Sequence, residues 1–321
     1  MQDDNLKTPD KIPVGISSCL LGEEVRYDGG HKSNPYIVGT LSQYFDFIPF
    51  CPEVDIGLGI PREPIHLVLE QDQTRCVGTR SADLDVTAKL SDSADAQLVW
   101  QSDIFGYILK KGSPSCGMER VKLLHNRHAE RTDVGIFAGR MMRNLPLLPV
   151  EEEGRLGDPI LRENFIQRVF VYQRWSQICS ADLSWATLTE FHARHKLILM
   201  SHDQTRTKEL GRKLSESASL DIDEYAQSYI ADMMTILKIK ATRGNHVNVL
   251  QHIQGYLKKQ LDSDDKQELS HSIEQYRLGL LPLIVPITLL RHHFMKYPDE
   301  YIQHSYYMCP YPNELMLLNC L

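Results

Sequence analysis

Three of the seven cysteines in this 321-residue chain stand where an apolar run meets glycine or proline. They lie in the segments ISSCLLG, FCPEV and GSPSCG, at Cys19, Cys51 and Cys116. Thiolate sulfur is a ligand for zinc, copper(I) and iron–sulfur clusters, and glycine beside a thiol allows backbone N–H groups to approach it closely. The pattern predicts one shared metal site. The alternative is three buried thiols that pack as small hydrophobes.

The other four cysteines lack such neighbours and are predicted to be ordinary thiols: Cys76, Cys179, Cys309 and Cys320. An odd total of seven argues against a framework of disulfides. The chain has no Cys-x-x-Cys pair, which disfavours a zinc site. The three loop cysteines are therefore the candidate ligands.

The fold must bring these distant cysteines together. Short apolar runs predict strands at 14–19, 46–51, 65–69, 104–109 and 134–138, and helical stretches are predicted at 34–44 and 94–101. This alternation predicts an α/β domain with a parallel-type sheet. Strand ends on one edge of such a sheet converge, so three ligands far apart in sequence can share one point.

The pattern changes in the second half of the chain. Residues 146–159 are rich in proline, glycine and glutamate, which predicts a linker or a domain edge. Beyond them the apolar residues keep helical spacing, including 222–243 and 246–259, with few strand-like alternations. We expect an α/β catalytic domain at 1–158 followed by an all-α domain at 159–321.

Charge and hydropathy restrict the class of protein. The net charge of −7 makes the whole chain no obvious nucleic-acid binder, yet residues 191–259 hold eleven Lys and Arg against seven Asp and Glu. A locally basic surface can still meet phosphate, because the local field decides. No window approaches the roughly 18 uncharged apolar residues of a membrane span. The polar first residues lack the apolar stretch of a secretory signal, so a cytoplasmic protein without membrane partners is expected.

Five motifs in the first half occur in a recognisable order: CLLG from Cys19, VRYDG from Val25, CPE from Cys51, GLGIPR from Gly57 and GSPSCG from Gly112. Residues 12–155 thereby resemble the thiouracil desulfidase family. The resemblance implies a 4Fe-4S cluster held by Cys19, Cys51 and Cys116, with one iron open to bind the substrate sulfur in a non-redox reaction. It also implies that Glu53 is the catalytic base and that Ser113 positions the attacking water or relays its proton.

A second group of motifs lies in the other half: FHARHK from Phe191, LMSH from Leu199, HVNVLQH from His246, PLIVP from Pro282 and LLRHH from Leu289. They resemble a helical domain that is fused to the first in prokaryotic tRNA 4-thiouridine desulfidases, where it is thought to grip tRNA. The resemblance implies that the partner is tRNA containing 4-thiouridine and that uridine is the product. RNA contacts are expected from Arg194, Lys196, Arg212 and Lys213.

Three histidines near these cations share a helical face. His192, His195 and His202 have spacings of three and seven. No cysteine or acidic ligand accompanies them at zinc-site spacing, which disfavours a metal face. The preferred interpretation is a basic face toward tRNA, and hydrogen bonding within a helical core is the alternative.

Two other functions fit the same residues. One is desulfuration of free 2-thiouracil or thiolated nucleosides, with the helical half serving as a lid or dimer surface. The other is an iron–sulfur RNA-binding regulator without turnover. Glu53 and Ser113 count against the regulator, because a sensor needs ligands but no adjacent acid–base pair.

Overall fold

The computed structural model describes residues 11–81, 83–125, 128–181, 183–312, 315 and 317–319. The chain divides into two compact units, Met1–Gly157 and Asp158–Leu321. The described residues of the first unit form two four-stranded sheets with short helices. The strands are β1 (Ile12–Ser17), β2 (Phe45–Phe50), β3 (Ile65–Glu70), β4 (Gln73–Gly78), β5 (Tyr107–Leu109), β6 (Val121–His125), β7 (His128–Asp133) and β8 (Val150–Glu152).

One sheet is entirely parallel and has the order β2-β1-β5-β8. Its centre is fully buried at Val14, Ile16 and Ile108, as expected for strands covered on both faces. Gly15 of β1 lies against the ring of Tyr107 on β5, and a side chain at position 15 would collide with that ring. The second sheet has the order β4-β3-β6-β7 and is mixed, with a parallel pair between β3 and β6.

In the described part of this unit, the sheets are accompanied by the helices α1 (Pro35–Gly39), α2 (Pro52–Asp55), α3 (Thr87–Ala96), α4 (Leu98–Gln101) and α5 (Ile136–Asn144). The predicted strand at 134–138 is wrong, because this segment begins α5 and buries Phe137, Ala138 and Met141 on one face. A short apolar run does not distinguish a strand from one turn of an amphipathic helix. The predicted helix at 34–44 is shorter, since α1 ends at Gly39 and a 3-10 turn follows at Leu41–Gln43.

The segment at 146–159 contains a strand and also the boundary between the two units, at Gly157 and Asp158. Val150–Glu152 form β8 at the edge of the parallel sheet, with Glu151 and Glu152 both buried. Their carboxylates are satisfied inside the fold: Met118 N–H donates to Glu152 at 2.9 Å and Arg155 donates to Glu151 at 2.5 Å. Acidic residues are usually predicted to be exposed, but the hydrogen bonds from these partners allow Glu151 and Glu152 to be buried.

The second unit contains helices and no strand among its described residues. The helices are α6 (Pro159–Ala181), α7 (Trp185–His202), α8 (Gln204–Glu216), α9 (Ile222–Lys238), α10 (Arg243–Gln254), α11 (Ser263–Arg277), α12 (Ile284–Lys296) and α13 (Glu300–His304). Side-chain N-caps begin many of them, including the Ser184–Thr187 capping box of α7. The predicted fold class, an α/β domain with a parallel sheet followed by an all-α domain, is confirmed. None of the described helices combines the length and the apolar character needed to cross a membrane.

Candidate active site

The three candidate ligands follow three adjacent strands of the parallel sheet. Cys19 lies in the 3-10 turn Ser18–Leu20 directly after β1, and Cys51 directly follows β2 and caps α2. Cys116 lies in the loop after β5. Because β2, β1 and β5 are parallel neighbours, their carboxyl ends lie on one edge of the sheet. The fold therefore brings the three cysteine loops together.

These loops enclose one cavity of about 300 Å³. Cys19, Cys51, Cys116, Glu53 and Ser113 all line it. Cys19 and Cys116 are buried and Cys51 is half-buried. The structure thus places every residue of the predicted catalytic and ligand set around a single cavity.

The N-terminus of α5 holds the third cysteine loop in place. Ile136 N–H donates to Pro114 O at 3.0 Å, Ala138 N–H donates to Ser115 O at 3.1 Å, and Gly135 N–H donates to Gly117 O at 2.8 Å. These are backbone donors that a helix start leaves without intrahelical partners. The helix that the sequence failed to predict is therefore one support of the Cys116 loop.

Burial controls the protonation of the three thiols. Burial and the neighbouring Cys51 raise the pKa of Cys19 to about 11. Burial also raises the pKa of Cys51, and burial together with Cys51 and Glu53 raises the pKa of Cys116 far above its usual range. Thiolate ligation must release these protons, so all three thiolates require compensating positive charge inside the cavity.

The donor set fits a centre that prefers soft sulfur ligands. Among the described residues, no group of three or more His, Cys, Asp and Glu side chains is arranged to hold a metal ion. Three soft sulfur donors around one cavity are the chemistry that an iron–sulfur cluster requires.

Glu53 is held at both carboxylate oxygens. Arg62 donates to its Oε2 from Nε at 3.0 Å and from Nη2 at 2.8 Å. The pair is desolvated, with the Arg62 and Glu53 side chains 4% and 14% exposed. Arg62 Nη2 also donates to Val25 O at 2.9 Å, which ties the pair to the segment after Cys19. Arg62 therefore forms an ion pair that orients Glu53.

Ser115 is the serine that contacts Glu53 most closely. Its hydroxyl donates to Glu53 Oε1 at 2.6 Å, while Ser113 Oγ lies 3.5 Å from the same oxygen. Ser113 Oγ accepts the N–H groups of Ser115 and Cys116 at 3.3 and 3.2 Å and lies 2.9 Å from Ser115 Oγ. Ser113 therefore shapes the loop and Ser115 bonds the carboxylate. Sequence reasoning missed Ser115, although its place beside Cys116 in the same motif was visible.

Cations surround this cavity. Arg26, Lys32, Arg62, Lys110 and Lys111 line it, against one lining carboxylate, Glu53. Glu153 partly neutralises them, because it accepts from Lys110 Nζ and from Lys111 N–H. The positive excess offsets the negative charge of thiolates in the cavity.

None of the other described cysteines is among the residues that line the cavity. Cys76 is fully buried on β4 within a cluster that includes Leu67 and Leu90, and burial raises its pKa to about 12. Cys179 and Cys309 are exposed. Cys320 lies outside the described residues.

The three histidines of α7 do not form a surface. His192, His195 and His202 are at most 8% exposed. Their Nδ1 atoms bond Tyr229 OH at 3.1 Å, Phe191 O at 2.8 Å and Ile239 O, respectively. The expectation that they face RNA is wrong, because helical spacing describes a buried face equally well.

The four predicted RNA-contacting cations lie on α7 and α8. Arg194 sits over the ring of Tyr306 at 4.3 Å, and Lys196 is exposed. Arg212 pairs with Glu216 at 2.8 Å and Lys213 pairs with Asp232 at 2.7 Å, all four side chains being well exposed. Their role toward RNA stays a prediction.

One family model matches most of the first half of this chain and another matches most of the second half. A family model described as 2-thiouracil desulfurase matches residues 14–153, and one described as a protein of unknown function (DUF1722) matches residues 196–312. The uncharacterized protein YbgA of Escherichia coli K12 is 28% identical over 151 residues, which is 47% of this chain and 89% of YbgA. The uncharacterized protein YbbK of Bacillus subtilis 168 is 32% identical over 108 residues, or 32% of this chain and 71% of YbbK.

A solved structure is also similar. The 4Fe-4S-dependent thiouracil desulfidase TudS is 31% identical to this chain, with a TM-score of 0.36; the match covers 46% of this chain and 95% of TudS. The 2-thiouracil desulfurase model matches this chain, and the identity of 32% to YbbK extends over 71% of that protein. The chain belongs to the 2-thiouracil desulfurase family.

Proposed function

We propose that this chain is a desulfidase that carries a 4Fe-4S cluster on Cys19, Cys51 and Cys116 and converts 4-thiouridine in tRNA to uridine. The observation that carries the proposal is the common cavity of three thiols and an oriented carboxylate. The match to the 2-thiouracil desulfurase family supports the choice of reaction, and the three soft sulfur donors support the choice of cofactor. The reaction is hydrolytic: water oxygen replaces sulfur at C4, the sulfur leaves as sulfide, and no electron is transferred.

When bound, the cluster supplies an iron that acts as a Lewis acid toward soft sulfur. The protein supplies the proton transfer. Arg62 occupies Glu53 Oε2, which leaves Oε1 as the oxygen that faces the serines. Glu53 Oε1 takes the proton of the attacking water, and Ser115 fixes the orientation of that oxygen. Ser113 keeps the Cys116 loop folded through its two backbone hydrogen bonds and directs its own hydroxyl toward Ser115 and Glu53.

The helical unit is proposed as the tRNA-binding domain, residues 159–321, and the first unit as the catalytic domain, residues 1–158. Support comes from the resemblance of the helical motifs and from the exposed cations Lys196, Arg212 and Lys213. Phosphate recognition needs such side chains but carries no sequence information.

A second candidate substrate is free 2-thiouracil. The family that matches the first half of the chain is named for an activity on 2-thiouracil. The cavity of about 300 Å³ is at the lower end of ligand pockets, which favours a small substrate over a large one. An iron–sulfur regulator without turnover is disfavoured by the clamp on Glu53, because a sensor has no use for an oriented base.

The two substrates are separated by one comparison. Anaerobically reconstituted protein is mixed with tRNA containing 4-thiouridine and, separately, with 2-thiouracil, and the thiocarbonyl absorbance of each is followed. Loss of the 4-thiouridine absorbance with formation of uridine is expected. Turnover of 2-thiouracil with unchanged tRNA would replace the main substrate by the free base. No turnover of either would refute the proposed enzyme.

The RNA surface has a separate test. Changing Arg194, Lys196, Arg212 and Lys213 to Gln should weaken tRNA binding and flatten its salt dependence, by roughly 0.7 to 0.9 log units per tenfold salt for each phosphate that is no longer neutralised. Turnover of a free thiobase should persist. The charge-matched control changes four other exposed lysines of the same unit: Lys240, Lys258, Lys259 and Lys266. Equal slopes for wild type and the first variant would place RNA recognition elsewhere.

A further inference from the structure

The helical unit contains a cavity of its own. It has a volume of about 120 Å³ and is lined by residues of α6, α10 and α11, by His202 at the end of α7, and by Ala241, Leu283, Leu317 and Leu318. This is below the roughly 300 Å³ of pockets for drug-sized ligands and equals about four water volumes at roughly 30 Å³ each. The space suits one planar ring.

Two polar side chains of the cavity wall, Gln167 and Asn164, already form hydrogen bonds to other helices. Gln167 Oε1 bonds His202 Nε2 at 2.6 Å, and Asn164 donates to Leu237 O at 2.8 Å. These side chains join helices, so they are not available to a ligand.

Another part of the wall keeps hydrogen-bonding capacity toward the cavity. Glu163 receives one hydrogen bond, from Tyr311 OH at 2.7 Å, and its second oxygen bonds no described residue. His246 uses Nδ1 with Tyr307 OH at 2.8 Å, and within the described part of the chain its Nε2 has no partner. Burial raises the pKa of Glu163 to about 7 and lowers the pKa of His246 to about 3, so the histidine is neutral. The neutral His246 ring can donate or accept through Nε2, and the Glu163 carboxyl accepts, or donates when it is protonated.

A cation and an aromatic ring stand at the same cavity. Arg243 is exposed at the start of α10, with its guanidinium carbon 5.7 Å from the centroid of Tyr276. Gly279, at φ +78°, follows the C-cap of α11, and its backbone lies close to that guanidinium. Glycine suits the left-handed turn at this position.

We propose that this cavity binds one unstacked pyrimidine base of single-stranded or looped RNA, with Glu163 and His246 on the edge of the base and Arg243 on its phosphate. The proposal rests on the proposed function, since it gives the helical unit a means of recognising a nucleotide as well as charge. Unpaired bases are recognised by hydrogen bonds to their edges and by stacking on aromatic or guanidinium planes. The lining has hydrogen-bonding groups, an aromatic ring and a guanidinium group, and the cavity volume is close to that of a single ring.

Photocrosslinking of the full, cluster-loaded chain tests the site directly. The probe is a short oligouridylate with one 5-iodouracil, and mass spectrometry maps the attached residue. The crosslink is expected on Tyr276 or His246. Uridine 5′-monophosphate should compete for it, whereas ribose 5-phosphate, which lacks the base, should not. Crosslinks confined to the first unit, or equal competition by ribose 5-phosphate, would overturn the base pocket.

Variants sharpen the result. Arg243→Gln and Glu163→Leu should each reduce crosslinking and oligouridylate affinity roughly 5- to 100-fold. The matched control is Arg277→Gln, which removes an exposed arginine that pairs with Glu274 on the same helix. If Glu163→Leu lowers the melting temperature, the test is carried by Arg243→Gln, which changes an exposed side chain. Affinity unchanged by Arg243→Gln would overturn the proposal.

Turnover of a free thiobase is measured on the same samples. Normal turnover without a crosslink in the helical unit would refute only this site. A crosslink at Tyr276 without any desulfuration would refute only the proposed reaction.

Discussion

The catalytic cavity and the helical core use polar side chains in opposite ways. At the sheet edge, loops after β1, β2 and β5 present thiols, a carboxylate and cations to an open cavity. In the helical core, His192, His195 and His202 are as strongly patterned in sequence but are buried against Tyr229, Phe191 and Ile239. Polar residues that follow parallel strands are gathered at an edge by the topology. Polar residues repeated along a helix are sorted by burial, which spacing does not reveal.

The largest expected effect is loss of the cluster when one of the three cysteines that line the catalytic cavity is replaced. Cys19→Ala, Cys51→Ala and Cys116→Ala should each abolish the cluster and its visible absorbance, because each removes one of three thiolate ligands. Reconstituted wild type should hold about four iron atoms per chain. Iron analysis and absorption spectra after anaerobic reconstitution measure both.

Cys179→Ala is the matched control, because Cys179 is an exposed thiol of the helical unit. It should keep its full iron content. A cavity variant that retains wild-type iron, or a wild type that binds zinc and no iron, would contradict the assignment of ligands.

Variants of Glu53 and Ser115 should lose turnover but keep their iron, unlike the cysteine variants. Glu53→Gln should keep its iron yet lose roughly 100- to 10,000-fold in rate, as for a general base. Ser115→Ala should lose roughly 10- to 150-fold, the equivalent of one hydrogen bond to a charged group. Single-turnover rates on 4-thiouridine measure both.

Ser93→Ala is a close control for Ser115→Ala. Ser93 donates to Asp55 at 2.6 Å, which is also a serine–carboxylate bond to α2, but neither residue lines the cavity. Its rate should stay near wild type. A normal rate for Ser115→Ala with a large loss for Ser113→Ala would show that Ser113 is the partner of Glu53 during catalysis.

Sequence patterns predict the strands that precede the cysteine loops better than they predict the elements that hold these loops in place. Strands β1, β2 and β3 have apolar runs that predict them closely, and the cysteine loops follow two of them. The hairpin between β3 and β4 was missed because its turn, Gln71 and Asp72 at φ 50° and 59°, lacks the glycine that usually marks such turns. The support of the Cys116 loop by α5 and the burial of Glu151 and Glu152 depend on contacts across the fold. No local pattern contains them.

The smallest expected effect is a change in how the free energy of unfolding depends on pH. It tests whether the Glu163 carboxyl is as strongly desolvated as the buried polar groups of the helical core. Its folded pKa of about 7 exceeds the ordinary value of 4.5, chiefly because it is buried. Tyr311 and Arg162 favour the ionised form, and Tyr276 and Tyr307 also lie near it. Between these two pKa values the folded chain keeps a proton that the unfolded chain has lost. Stability therefore falls as pH rises through this window.

Buried histidines act in the opposite direction. Burial lowers the pKa of His192 and of His202 to about 4, so the unfolded chain binds protons that the folded chain does not, and stability rises with pH below the ordinary value of 6.5. Wild type and Glu163→Gln share these histidines. Comparing the two proteins at each pH therefore cancels the histidine contribution and isolates Glu163.

Urea unfolding followed by helical circular dichroism at about pH 5 and about pH 8 measures this difference. From the lower to the higher pH, wild type should lose roughly 1 to 3 kcal/mol more of its unfolding free energy than Glu163→Gln does. Glu268→Gln, which changes an exposed glutamate of α11, should follow wild type. Identical pH dependence in all three proteins would mean that the Glu163 carboxylate is stabilised in the folded chain as well as it is in water. The helical cavity would then be as open to solvent as the catalytic one, and the contrast between the two regions would be confined to the histidines.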